Sequence, residues 1–88
     1  TAIDLNMLSM PNLQLAGLPQ DLSRAIVRAR TSGGFSSATN FKRRVDQALQ
    51  SLFNPPRRYR DYQSYLIAKQ TDLTFGTRSL SGDNLSWP

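Results

Sequence analysis

The residues of this chain with the clearest chemistry are those able to hold an anion. Gly17-Leu18-Pro19-Gln20-Asp21 makes a short bend ahead of an amphipathic segment. A glycine bend leading into a helix N-terminus presents backbone N–H donors to a phosphate. Two of its residues work against that use. Pro19 has no N–H, and Asp21 falls in the first helical turn, where its carboxylate already answers the positive dipole end and repels an incoming anion. The alternative is that the bend only packs two helices together. Around it stand three basic groups: Arg24, Arg28 and Arg30; Lys42-Arg43-Arg44; and Arg57-Arg58-Tyr59-Arg60. These could track a phosphate backbone, with Tyr59 and Tyr62 as stacking platforms. Equally, they could be solvated helix faces with the tyrosines in the core.

Catalysis has little to work with. The chain contains no His, no Cys and no Glu, and its six acidic residues are dispersed Asp. No nucleophile–base pair, carboxylate pair or metal-ligand pattern follows from their spacing. No catalytic residue, metal or cofactor is therefore expected, and Asp4 and Asp21 fit turns or helix ends. With 88 residues, 39% of them hydrophobic, the chain suits one small module without room for an enclosed catalytic cavity.

The net charge of +5 is unevenly placed: residues 1–70 carry ten Lys/Arg against four Asp, and residues 71–88 carry Arg78 against Asp72 and Asp83. A basic body of this kind is drawn to nucleic acid, anionic lipid or an acidic protein surface. No apolar run approaches the roughly 18–20 residues needed to cross a bilayer. The chain starts at Thr1 rather than Met, as a processed mature protein or an excised fragment would.

Four short helices are expected to position these groups. Ser9 caps a first helix over about Met10–Ala16, with Pro11 tolerated in its first turn, and Gly17 supplies the backbone freedom for the bend. A second helix spans about Gln20–Arg30, with Leu22, Ala25, Ile26 and Ala29 on one face, and Gly33-Gly34 stops it. Ser36 or Ser37 caps a third, in which Phe41, Val45, Ala48, Leu49 and Leu52 share a face and Lys42, Arg43 and Arg44 look to solvent. Asn54-Pro55-Pro56 ends that helix. A fourth is expected from Pro56 to about Lys69, with Tyr59, Tyr62, Leu66 and Ile67 inward. Beyond it the periodicity fails. The reading is an all-α domain over residues 1–70 and an irregular, extended C-terminal tail over 71–88.

Ile3-Asp4-Leu5-Asn6, Gly17, Leu22-Ser23-Arg24-Ala25-Ile26-Val27 and Gly34-Phe35-Ser36-Ser37 together resemble a small helix-hairpin-helix group with a SAM-like core. The group includes the competence DNA receptor ComEA, the pseudopilin GspK and the photosystem II extrinsic subunit PsbU. The resemblance covers about residues 3–50. It implies that Gly17, Leu18, Pro19, Gln20 and Asp21 are the binding hairpin, although DNA-binding members place a second glycine where Pro19 stands. A second glycine hairpin, usual in ComEA and PsbU, is replaced by Leu52-Phe53-Asn54-Pro55-Pro56. With the non-Met start, the resemblance implies a thylakoid lumen or a bacterial periplasm.

Two functions follow as expectations. The first is a non-catalytic structural or accessory subunit of a larger assembly, photosystem II extrinsic-like or secretion-complex-like. It would dock on an acidic surface through Arg57, Arg58 and Arg60 and anchor its tail through Phe75, Leu80 and Trp87, unless that tail wraps back on its own domain. The alternative is a sequence-independent DNA-binding module using Arg24, Arg28, Lys42, Arg43 and Arg44.

Overall fold

The structure, a computed structural model, describes residues 2–76 and the backbone of 78–79. Helix α1 (Met10–Leu15) begins at Ser9, whose Oγ accepts the Asn12 N–H, with Pro11 in the first turn. Gly17 then turns the chain at φ 106°, a value that side-chain-bearing residues rarely adopt. Leu18 is buried at the bend. Helix α2 (Gln20–Ala29) buries Leu22, Ala25 and Ile26, continues into a 310 turn at Arg30–Ser32, and ends at Gly33. Of the two candidate caps for α3 (Ala38–Leu52), Ser37 is the one used: its Oγ accepts the Asn40 N–H at 3.0 Å. The α3 face of Phe41, Val45, Ala48 and Leu49 is buried, and α3 packs against α2.

The expected fourth helix is shorter and broken. Arg58 is extended, at φ −118° and ψ 149°, and is followed by a 310 turn at Tyr59–Asp61 and then α4 (Gln63–Ala68). The cause lies in α3, where the Asp46 carboxylate takes the Tyr59 N–H at 2.8 Å and fixes the chain before a helical ladder can start. Tyr59 and Leu66 are buried as the spacing predicts, but Ile67 is 40% exposed and does not point inward.

The chain is mostly helical, and three short strands correct the all-α expectation. β1 (Ile3–Asp4) pairs in parallel with β2 (Leu73–Phe75), and β3 (Arg78–Ser79) pairs antiparallel with β2, giving the order β1-β2-β3. The Ile3 N–H donates to the Asp72 carbonyl at 2.7 Å and the Leu5 N–H to that of Thr74 at 2.9 Å. Alternate residues of a strand share a face, so Leu73 and Phe75 both enter the core. Residues 71–76 therefore belong to the folded unit rather than to a tail. Phe75 contacts Phe35 and Phe41 with ring centroids 5.9 and 5.8 Å away, so it is a core residue and not a partner anchor. Leu80 and Trp87 lie outside the described residues.

The segments that carry the family resemblance meet in space. The Asn6 side chain accepts the Phe35 N–H at 2.7 Å and donates to the Phe35 carbonyl at 3.1 Å. A Cβ on Gly34 would sit 3.1 Å from that Asn6 amide, tighter than ordinary van der Waals contact, so a larger residue there would require the amide to shift by a few tenths of an ångström. Asp4 Oδ1 accepts the N–H groups of Asn6 and Gly76, tying both ends of the described chain to one carboxylate.

Candidate functional site

The bend at residues 17–21 is already occupied by its own chain. The Gly17 and Leu18 N–H groups donate to the carbonyls of Gln14 and Leu13, which satisfies the end of α1. Pro19 is the N-cap of α2 and offers neither an N–H nor a side-chain cap. The Lys69 side chain lies over Gly17, filling the space a Cβ would need. Asp21, in the first turn of α2, forms an ion pair with Arg57. These contacts engage the Gly17 and Leu18 donors and the Asp21 carboxylate within the fold.

The arginines divide by what they touch. Arg30 donates to the carbonyls of Leu5 and Leu8; burial lowers its pKa, with Asp4 opposing the shift. Arg44 was expected to face solvent. Instead it reaches back to the carbonyls of Ala29, Gly33 and Gly34, to Ser32 Oγ and to Asn40 Oδ1, with its guanidinium 4.8 Å from the Phe35 ring. It gathers the carbonyls left open where α2 ends, which a long, forked donor can do and a helical wheel does not show. Arg57 lies over Phe53 at 4.4 Å and bonds Tyr62 Oη and Asp21, and those two partners raise its pKa, Tyr62 most. These three side chains hold the fold together.

Six other cations are exposed. Arg58, also exposed, is held by one edge: its Nε donates to Asp46 Oδ1 at 3.1 Å. Burial pushes the Asp46 pKa up, but the Tyr59 N–H, Arg58 and Gln50 together hold it below the usual carboxylate value. Arg24, Arg28, Lys42, Arg43 and Arg60 stand exposed at the surface.

Two grooves flank α3. The first, of about 400 Å³, is lined by Thr39, Lys42, Arg43, Asp46, Arg58, Tyr59 and Arg60. It brings together residues from both basic runs of the sequence, Lys42-Arg43 and Arg58–Arg60. The second, of about 480 Å³, runs between α2 and α3 with Arg28, Thr31, Arg44, Gln47 and Ser51 in its wall. At 100° per residue, Arg43, Gln47 and Gln50 form the ridge between them, and all three are exposed. Among the described residues, Asp46 is the one acid lining either groove, and its oxygens are engaged by Tyr59, Arg58 and Gln50.

Two tyrosines expected as stacking platforms do not present open faces. Tyr59 is 1% exposed, lies edge-on to Phe41, and has its pKa pushed up by burial; Tyr62 is half-buried beside Arg57. Sequence reading missed Asp46 and Thr39, whose one signal was a lone acid and a hydroxyl bracketing the Lys42-Arg43-Arg44 run. Among the described residues, no cluster of acidic side chains suits a metal ion and no helix is long and apolar enough to cross a membrane. Comparison with protein-family models, curated proteins and solved structures returns no match.

Proposed function

We propose that this chain is a non-catalytic, sequence-independent nucleic-acid-binding module that contacts the phosphate backbone through the ridge of α3 and its two flanking grooves, not through the bend. The observation that carries the reading is the placement of exposed cations on both sides of one helix: Lys42, Arg43, Arg58 and Arg60 on one, Arg28 on the other. An α-helix about 10–12 Å across fits a B-DNA major groove about 12 Å wide, with phosphates along both walls. Among the described residues, the ridge of Arg43, Gln47 and Gln50 carries no acid, and the neighbouring Asp46 is already engaged.

An acidic protein surface fits the same charge but not the same chemistry. Protein interfaces are organised around an apolar, aromatic-rich centre within a polar rim. Among the described residues, the basic face has no such centre. The large exposed apolar residues Met7, Leu15, Tyr65 and Ile67 lie on the α1 side and on α4, away from the two grooves. Backbone phosphates need charge and hydrogen-bond donors, which this face supplies.

The test is duplex binding as a function of salt, using a hairpin oligonucleotide with a 5′-hydroxyl end. Neutralising four to six phosphates predicts a slope of log K against log [salt] of about −4 to −5. Reversing Arg43 to Glu should flatten the slope by about one to two. No binding at low salt, with an acidic protein captured on the same face, would replace this reading with the docking one.

A further inference from the structure

Resting on that reading, we propose that the groove between α3 and the Tyr59–Asp61 turn seats one phosphomonoester dianion, the terminal phosphate of a nucleic-acid strand, while the rest of the basic face follows the backbone diesters. The two grooves beside α3 differ in the way this division needs. In the groove between α2 and α3, Arg44 is engaged by three backbone carbonyls and two side chains, leaving Arg28 as the available cation. One cation matches one diester charge. In the other groove four cations meet one acid. A phosphomonoester carries about −1.5 to −2 at neutral pH and three acceptor oxygens, more than a diester offers.

Asp46 prepares the groove rather than opposing the anion. It takes only the Nε of Arg58, so both Nη groups of that guanidinium remain for the paired contact that arginine makes with phosphate oxygens. Oδ1 also holds the Tyr59 N–H and Oδ2 holds Gln50, which pins the carboxylate itself. Tyr59 is buried beneath the groove, and Thr39 adds a neutral hydroxyl at the wall. Asp46 is thus a positioning residue for Arg58.

The experiment compares the full chain binding two hairpin duplexes of one sequence, one ending in a 5′-phosphate and one in a 5′-hydroxyl. The phosphorylated end should bind about tenfold tighter. Arg60→Ala should weaken binding of the phosphorylated end more than that of the hydroxyl end and bring the two within about twofold. Asp46→Asn separates positioning from simple charge: loss of a negative charge alone should tighten both duplexes, whereas loss of positioning should erase the preference for the phosphate. Circular dichroism checks that each variant is folded. Equal affinity of the wild type for both ends would overturn this inference and leave the proposed function standing; failure to bind either would overturn both. A phosphoserine peptide or inorganic phosphate bound as tightly as the 5′-phosphorylated duplex would overturn the assignment to a strand end.

Discussion

Arg43 and Arg44 are adjacent, carry the same charge and differ in everything else, so replacing each with Ala tests the division of labour most directly. Arg44 donates to the Ala29 and Gly34 carbonyls at 2.8 and 2.9 Å, with three further acceptors in reach and a ring contact at 4.8 Å. A hydrogen bond to a charged group contributes roughly 1.5–3 kcal/mol when buried. A cation–π contact adds about 0.5–1 kcal/mol. Because the guanidinium is only half-buried, both figures are reduced by solvent screening. The expected loss for Arg44→Ala is about 2–4 kcal/mol, out of a total of roughly 4–13 kcal/mol for a domain this size. At about 4–8 °C per kcal/mol, Tm should fall by roughly 8–32 °C. Arg43→Ala touches nothing the fold needs and should stay within about 0.5 kcal/mol of the wild type. Urea melts followed by circular dichroism give the stability, and duplex titration of the folded fraction gives the affinity. Arg43→Ala should weaken binding and Arg44→Ala should not. Equal stability of the two variants, or a larger binding loss for Arg44→Ala, would refute the assignment of Arg44 to the scaffold.

Three other outcomes are expected. Phe75→Ala should cost about 3–5 kcal/mol, and truncation after Gln70 should unfold the domain by thermal melt; a truncated chain with full helicity would show that β2 is dispensable. Pro19→Gly should lower stability by about 0.5–1 kcal/mol through the unfolded chain and leave duplex affinity within about twofold, whereas an anion-clasping bend would gain affinity from the new N–H. Stability should fall at both extremes of pH. Asp46 has its folded pKa held below the ordinary 3.8, so its contribution is present above that value and is lost as pH falls through the lowered one. Tyr59 has its folded pKa raised above the ordinary 10.0, so its contribution is present below that value and is lost as pH rises further. Asp46→Asn should flatten the acid limb of a stability-versus-pH curve and leave the alkaline one unchanged.

The helices were legible wherever a cap and an apolar stripe coincided. Ser9, Ser37 and the spacing of Leu22, Ala25 and Ile26 place α1, α2 and α3 almost as found. The sheet was not legible, because strands of two and three residues carry no periodicity and β1 finds its partner about seventy residues away. The same limit applies to the fourth helix, which is shortened by a carboxylate on another element. Charge runs were visible but their uses were not. A helical wheel sends Arg44 outward, while its side chain is long enough to return to the carbonyls beyond the end of α2. The groove between the Lys42-Arg43 and Arg58–Arg60 runs forms only because folding sets them against each other.

The parallel pairing of β1 with β2 also sets an order of events for folding. Joining segments about seventy residues apart, rather than about ten, carries an extra closure entropy of roughly 2 kcal/mol. No single strand pair this short repays that cost unaided. The strands therefore pair only as the helices between them pack, and a nascent chain gains its completed core only once Phe75 has been synthesised.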